Sequence, residues 1–526
     1  MPKVLISDEL SPAAIDIFRS RGIEVDFQPQ LGPDAARLKE IIGDYDGLAI
    51  RSATKVKADV IAAARNLKVI GRAGIGVDNV DIPAATARGI VVMNTPFGNS
   101  ITTAEHAIAL LFAAARQLGA ADASTQAGKW EKNRFMGVEL YAKTLGVIGC
   151  GNIGSLVAER ALGLKMKVIA YDPFLSPERA IEIGVEKVEL DELLARADFI
   201  SLHTPMTEKT RNILSAENIA RCKKGVVIVN AARGGLVDEA ALRAALESGH
   251  VSAAGIDVFS VEPAKENVLF GAPNLVATPH LGASTNEAQE NVALQVAEQM
   301  SDYLVSGAVT NALNMASITA EEAPRLRPFA ALAEKLGAFA GQIVGESLDA
   351  VEIEYEGHVA AMNTKPLTAA ALAGLLRPIL QDVNMVSAPA LLKERGVTLT
   401  EARREISPTY DSVIRIKVQT DGGWRTVAGA VIAGGPKIVE VKGMSLEAAF
   451  HPLMLYVNNS DKPGFIGALG TMLGEAQVNI ATFNLGRVAA GEDAVALVGI
   501  DQTIPAPLLA RIEGLPQVRY VRVLSF

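Results

Sequence analysis

Cysteine is almost missing: Cys150 and Cys222 are the only two in 526 residues. Two thiols cannot make a disulfide framework, and no paired metal-ligand spacing surrounds them, so no metal is expected. Histidine is scarce too, with six in the chain, which leaves few candidates for acid–base work. Positive charge is not in excess. A net charge of −9 and a pI near 5.4 exclude a protein built to hold nucleic-acid phosphates on a basic face. The most apolar stretch, residues 107–115, lies between Glu105 and Arg116 and is too short to cross a bilayer. The opening Met-Pro-Lys-Val-Leu-Ile-Ser-Asp lacks a basic segment followed by an apolar one, so no signal peptide is expected and a soluble cytoplasmic protein is. The chain is 49% apolar and 21% charged, which is globular, and it is too long for one core.

Residues 145–172 organise the rest. The apolar run Thr144–Ile148 reads as a buried strand, and Gly149, Gly151 and Gly154 follow at once. Helical spacing begins at Ile153, and a second strand over 167–171 ends at Asp172. In a dinucleotide site each type has a task. Gly149 permits the tight turn, Gly151 lets backbone approach a pyrophosphate, and Gly154 lets helix and strand pack closely. The helix start offers N–H groups and partial positive charge to phosphates. Asp172 stands at a strand end, where a carboxylate accepts from ribose hydroxyls. Asp172 is followed by Pro173 and Phe174, with no arginine before Arg179, which favours NAD over NADP. Cys150, inside the loop, reads as a small filler and not a nucleophile.

Residues 1–97 alternate strand and helix signals, implying a parallel sheet covered by helices. The Asn94–Ser100 stretch is turn chemistry, and an Ala-rich helix from about 101 to 117 crosses into a second unit, 98–282, with further βα repeats. Ser284-Thr-Asn-Glu287 reads as a capping box. It would open a helix with the stripe Val292, Val296, Met300 and Leu304, which over 283–316 leads back to the first unit. Residues 317–451 show strand-rich runs, and 452–526 follow a βαββαβ order, which is ferredoxin-like.

Hydride transfer needs a base, a partner for its charged form, and a cation for an anionic substrate. His280 follows the run Leu275–Ala277, Arg233 follows Val226–Asn230, and Glu262 follows a strand ending at Asp257. All three stand beyond strand ends of the second unit, where α/β sites gather. His203 is the rival base. The other four histidines, His106 among them, read as structural.

Four motifs together carry a resemblance: Gly71-Arg-Ala-Gly-Ile-Gly-Val-Asp-Asn79, Gly149-Cys-Gly-Asn-Ile-Gly154, Asn230-Ala-Ala-Arg-Gly-Gly-Leu-Val-Asp238 and Pro279-His-Leu-Gly-Ala-Ser284. They resemble the D-2-hydroxyacid dehydrogenases, and the long tail resembles the branch with an intervening and an ACT domain. The resemblance implies a Rossmann-like NAD domain inserted in a flavodoxin-like substrate domain, then an α+β intervening domain and the ferredoxin-like ACT domain. It implies His280 as acid/base, Glu262 as its partner and Arg233 as the grip on the substrate carboxylate. Asn152, Ile153, Thr204, Ala231, Ala232, Asp257, Gly282 and Ala283 would line NAD, as would Ile75, where isoleucine leaves only backbone to bond. The branch implies oxidation of 3-phospho-D-glycerate. Arg51, Ser52 and Arg72 suit its phosphate, and Lys132 and Arg134 fall where the family can reach a neighbouring subunit's site. In the tail, Asp461, Asn479 and Ile480 would face an effector, with L-serine the first candidate, in a paired homo-oligomer. Asn459 departs from at least one regulated pattern there, and Lys437 resembles part of a second anion site. Competing readings are another D-2-hydroxyacid dehydrogenase, acting on glyoxylate, lactate or 2-oxoglutarate, and an NAD-sensing binding protein on the same fold.

Overall fold

The computed structural model describes residues 1–344, 348–380, 383–420 and 423–526. The first sheet is parallel, and its five strands lie in the order Glu24–Phe27, Lys3–Ile6, Gly47–Ile50, Val69–Arg72, Val91–Asn94. That is the flavodoxin-like order, second strand first. Its central strand Gly47–Ile50 is buried throughout and the strands on either side nearly so, as a parallel sheet between helices requires. Arg51, Arg72 and Asn94 therefore share one edge, at or just past the carboxyl ends of three neighbouring strands.

Helix Ser100–Arg116 leads into the second sheet, seven parallel strands in the order Leu275–Ala277, Val251–Ile256, Val226–Asn230, Phe199–Leu202, Thr144–Ile148, Lys167–Tyr171, Glu186–Lys187. The order reverses between Thr144–Ile148 and Phe199–Leu202. A doubly wound sheet opens a crevice at such a reversal, and there the glycine loop begins. Apolar clusters cover both faces of this sheet.

Helix Asn286–Ser306 returns to the first sheet and packs on helix Pro12–Ser20 and strand Val69–Arg72. Val292, Val296 and Met300 of the expected stripe are buried, and Leu304 is half-buried. The cap differs from the expectation. Thr285, not Ser284, is the N-cap and accepts from Ala288 N–H at 3.2 Å, so Glu287 falls at the second position and closes no reciprocal box.

Between Met315 and the terminal unit the strand-rich reading misses three helices, Glu322–Val344, Lys365–Leu376 and Ala388–Glu394; the first lies on a six-stranded sheet and packs closely against the second. All eleven residues from Pro366 to Leu376 are buried, so no apolar stripe marks the second helix. The terminal unit runs Leu453–Ser460, Phe465–Glu475, Ile480–Arg487, Asp493–Ile500, Ala506–Glu513, Val518–Ser525 as βαββαβ around an antiparallel sheet. The fold class is that implied by the resemblance: two parallel α/β units followed by β-rich ones. Among the described residues no helix is long and apolar enough to cross a membrane.

Candidate functional site

The buried strand Thr144–Ile148 delivers the chain to Gly149 at φ +90°, a conformation side chains resist. Gly154 packs so closely that a Cβ on it would lie 2.0 Å from Gly149 O. Gly151 is different: it is exposed, and a Cβ there meets nothing within 4 Å. It caps helix Asn152–Gly163 without any side chain turned onto the first N–H groups. Asp172 braces this loop, with Oδ2 accepting from Cys150 N–H and Oδ1 from Phe174 N–H, both at 2.8 Å. Thr204 stands against Gly149, and its Oγ1 is buried with no partner among the described residues. An uncapped helix start, an open glycine and an orphaned hydroxyl fit the phosphates and ribose of a dinucleotide. Cys150 is no nucleophile, since burial and then Asp172 push its thiol up to about 11. Burial pushes His203, the rival base, down to about 4, and its Nε2 lies 2.8 Å from Ser201 Oγ.

Three adjacent strands, Val226–Asn230, Val251–Ile256 and Leu275–Ala277, end side by side, and their loops carry Arg233, Asp257 with Glu262, and His280. His280 adopts φ +57°, and its ring Nδ1 lies 2.7 Å from Glu262 Oε2. Burial disfavours the Glu262 carboxylate, but hydrogen bonds from His280 and the Phe259 N–H outweigh it, so the group stays below the usual carboxylate range. With Nδ1 on the carboxylate, Nε2 is the ring atom left for a substrate proton. The His280 side chain is 49% exposed, as access demands.

Arg233 reaches across to the first unit, where Nε donates to Asp78 Oδ2 at 3.0 Å. Its loop is fixed from below by Asn230, which accepts from Ala232 N–H and donates to Arg233 O. Arg72 lies in the same cleft. Burial, then repulsion from Arg233 and Arg51, pushes it down to about 10 against the pull of Asp78 and Asp8. Its Nε is buried with no partner among the described residues. Asp8 is already engaged by Arg51 N–H and by Thr54, through both its N–H and its hydroxyl. Arg51 and Arg233 thus both act on Arg72, and among the described residues the carboxylate bonded to this group's side chains is Asp78, through Arg233, an arrangement suited to a multiply charged anion. Ile75 belongs to the same edge, its carbonyl accepting from Asn94 at 2.7 Å.

Other candidates are not gathered there within one chain. Arg134 is 62% exposed and pairs with Glu131 at 3.0 Å, and Lys132 is exposed, whereas Ser52, exposed too, follows Arg51 directly past the end of strand Gly47–Ile50. In the terminal unit Asp461 is bound by Arg487 at 2.7 Å, which lowers its pKa. Asn479 donates to Asp501 at 2.6 Å. Strand Asp493–Ile500 separates them: its start pairs with Ser460 and its end with Ile480, so a single copy does not bring Asp461 to Asn479. Lys437 pairs with Glu447.

Two polar contacts escape a sequence reading. Asp78 holds Arg233 from 155 residues away. His106 meets Asp257 and Thr278 from the long helix. Asp78 lies inside the Gly71–Asn79 motif, which was its only signal; His106 had none.

Comparison with known proteins agrees with this site. The NAD-binding domain of the D-isomer-specific 2-hydroxyacid dehydrogenases matches residues 108–282, which contain the glycine loop, Asp172, Arg233, Glu262 and His280. The D-3-phosphoglycerate dehydrogenase intervening domain matches residues 325–442. The chain is 42% identical to a D-3-phosphoglycerate dehydrogenase of Synechocystis, over 99% of this chain and 94% of that protein. It is 43% identical to one of Mycobacterium tuberculosis H37Rv, over 96% of each. Among solved structures, a glyoxylate reductase from Paecilomyes thermophila superposes with a TM-score of 0.56 at 32% identity, over 59% of this chain and 98% of that one. A D-lactate dehydrogenase from Aquifex aeolicus, complexed with NAD and lactic acid, gives 0.51 at 26% identity, over 57% and 95%. The shorter enzymes thus account for the two α/β units alone. Full-length relatives account for the tail as well, and with them the chain belongs to the D-3-phosphoglycerate dehydrogenase family.

Proposed function

We propose that this chain oxidises 3-phospho-D-glycerate to 3-phosphooxypyruvate with NAD, the first step of L-serine biosynthesis, in the cytoplasm. The feature that supports this substrate is the grouping of Arg51 and Arg233 around Arg72, with Arg233 on the loop next to the one that carries Glu262. A monocarboxylate such as lactate or glyoxylate needs one arginine. A substrate with a carboxylate and a phosphate uses all three, and binding it relieves their mutual repulsion.

Bound NAD supplies the nicotinamide carbon that accepts the hydride. The rest belongs to the protein. The Asn152, Ile153 and Gly154 N–H groups and Thr204 would hold the pyrophosphate side, and Asp172 the adenosine ribose. Ala231, Ala232, Gly282 and Ala283 would border the nicotinamide end, with Asp257, expected there too, buried behind Gly282 and accepting its N–H. Arg233 takes the substrate carboxylate in its planar fork, in exchange for part of its hold on Asp78. Nε2 of His280 accepts the C2 hydroxyl proton as the hydride leaves, and Glu262 stabilises the imidazolium through Nδ1. A sensor of NAD would have no use for such a charge-stabilised base.

His280→Ala should lower kcat by roughly a hundredfold to ten-thousandfold, with NAD affinity little changed. Unaltered turnover in the folded variant would remove His280 from the reaction. For the terminal unit we infer a small-molecule role, with L-serine as ligand, in a symmetric pair of chains. The supporting feature is that Asp461 and Asn479 lie at opposite ends of one sheet, so a composite site needs a second copy. Serine that neither binds nor slows the full-length enzyme leaves only a scaffold role.

A further inference from the structure

The turn that carries His280 is held from behind by a carboxylate that no solvent reaches. Asp257 is 0% exposed and takes four donors: Leu281 N–H at 2.7 Å, Thr278 Oγ1 at 2.6 Å and His106 Nε2 at 3.1 Å on Oδ1, and Gly282 N–H at 2.9 Å on Oδ2. Its backbone carbonyl also accepts from His280 N–H at 2.8 Å. His280 itself sits at φ +57°, a region that side chains other than glycine's enter at a cost and keep only when neighbours enforce it. The enforcing contacts are those of Asp257 with the two residues that follow. Thr103, one turn before His106 on helix Ser100–Arg116, donates to Gly282 O at 2.9 Å, so the helix grips the turn at two points.

We propose that His106 is a positioning residue for the dehydrogenase reaction: by donating from Nε2 to Asp257 it keeps that carboxylate turned onto the Leu281 and Gly282 N–H groups, and thereby keeps His280 in the conformation that meets Glu262. The proposal rests on the oxidoreductase reading above. A buried carboxylate that loses a side-chain donor is left with an unsatisfied lone pair, a cost that weakens its hold on one fixed orientation. Thr278 would remain as a side-chain donor but lies in the same turn, so it moves with what it is meant to fix. His106 lies outside the turn and supplies the independent anchor. A histidine that merely filled space between helix and loop would tolerate any residue of similar size. An anchor demands a donor at the place of Nε2.

The variants follow from that difference. His106→Gln keeps an N–H donor near the place of Nε2. His106→Leu keeps bulk without a donor, and His106→Asn keeps polarity but is too short to reach Asp257. Steady-state kinetics would use whichever 2-hydroxy acid the wild type oxidises with NAD. Leucine and asparagine should each lower kcat by on the order of tenfold to a hundredfold, with KM for NAD within about threefold, and glutamine should recover most of the loss. Hydrogen exchange of the 278–283 amides, followed without cofactor, should quicken in the first two variants and return toward wild type in the third. Wild-type kcat and unchanged exchange in His106→Leu would overturn the proposal. So would glutamine failing as badly as leucine, which would assign the residue to packing. A wild type that oxidises no 2-hydroxy acid would instead remove the dehydrogenase reading, while the exchange measurement would still report on the anchor.

Discussion

Gly151 and Gly154 lie three residues apart in one loop, yet alanine should act differently at each. A methyl on Gly154 would sit 2.0 Å from Gly149 O, well inside the separation such atoms tolerate, and the obstacle is backbone of the loop itself. Forced packing of this kind costs ~1–3 kcal/mol. An overlap with backbone belongs at the upper end, and the better helix propensity of alanine returns ~1 kcal/mol. A net loss of ~2 kcal/mol should lower the melting temperature of the NAD-binding unit by roughly 4–8 °C. Gly151 has φ −75° and ψ −151°, open to any residue, and an added methyl meets nothing within 4 Å. Alanine at a helix cap costs up to ~1 kcal/mol, while the stiffer unfolded chain returns ~0.4–1 kcal/mol. Stability should therefore stay near wild type. What changes is the space for the pyrophosphate, so NAD affinity should fall tenfold or more, ~1.4 kcal/mol. Thermal unfolding without cofactor and a calorimetric NAD titration read the two effects separately. Equal destabilisation by both substitutions, or wild-type NAD affinity in Gly151→Ala, would refute the division of labour.

His203 should make a recognisable contribution to acid stability. Its unfolded pKa is about 6.5, and burial pushes it down to about 4 in the fold. The unfolded chain therefore binds the extra proton first, so the stability is complete above ~6.5 and is lost as pH falls toward about 4. His203→Gln should flatten the melting temperature across that window, and an unchanged slope would mean that the ring is not held neutral. Asp172→Ala should weaken NAD and relax discrimination against NADP, since the carboxylate braces the loop through Cys150 N–H and would repel a 2′-phosphate. Unchanged affinity and ratio would reduce Asp172 to a turn residue.

Local order carried much of the reading. Strand, glycine loop, helix, strand and Asp172 follow one another in sequence, and Arg233, Glu262 and His280 each stand just past a strand whose apolar run is visible. Parallel strands bring such ends together, so His280 meeting Glu262 across 18 residues follows from topology. Contacts between segments far apart in sequence follow from no local pattern. Asp78 and Arg233 lie 155 residues apart, and His106 looked like any helix residue until its neighbour proved to be a buried carboxylate. Helix Lys365–Leu376 was invisible for a different reason: buried all round, its apolar run has no period to detect. The misplaced cap is subtler. Ser284 and Thr285 are both good caps, and the turn starting at His280, where Ser284 N–H bonds Leu281 O, leaves the second to begin the helix.

The central claim is that one cleft pairs a dehydrogenase base with a clamp for a phosphorylated hydroxy acid. NADH formation by the purified enzyme tests it most directly, with 3-phospho-D-glycerate measured beside D-lactate, glycolate and D-2-hydroxyglutarate, in the wild type and in Arg51→Ala. The phosphorylated acid should show the highest kcat/KM, and Arg51→Ala should cost it at least tenfold, ~1.4 kcal/mol, a loss that the unphosphorylated acids do not share. A higher kcat/KM for any unphosphorylated acid, or an equal loss for all of them, would contradict it.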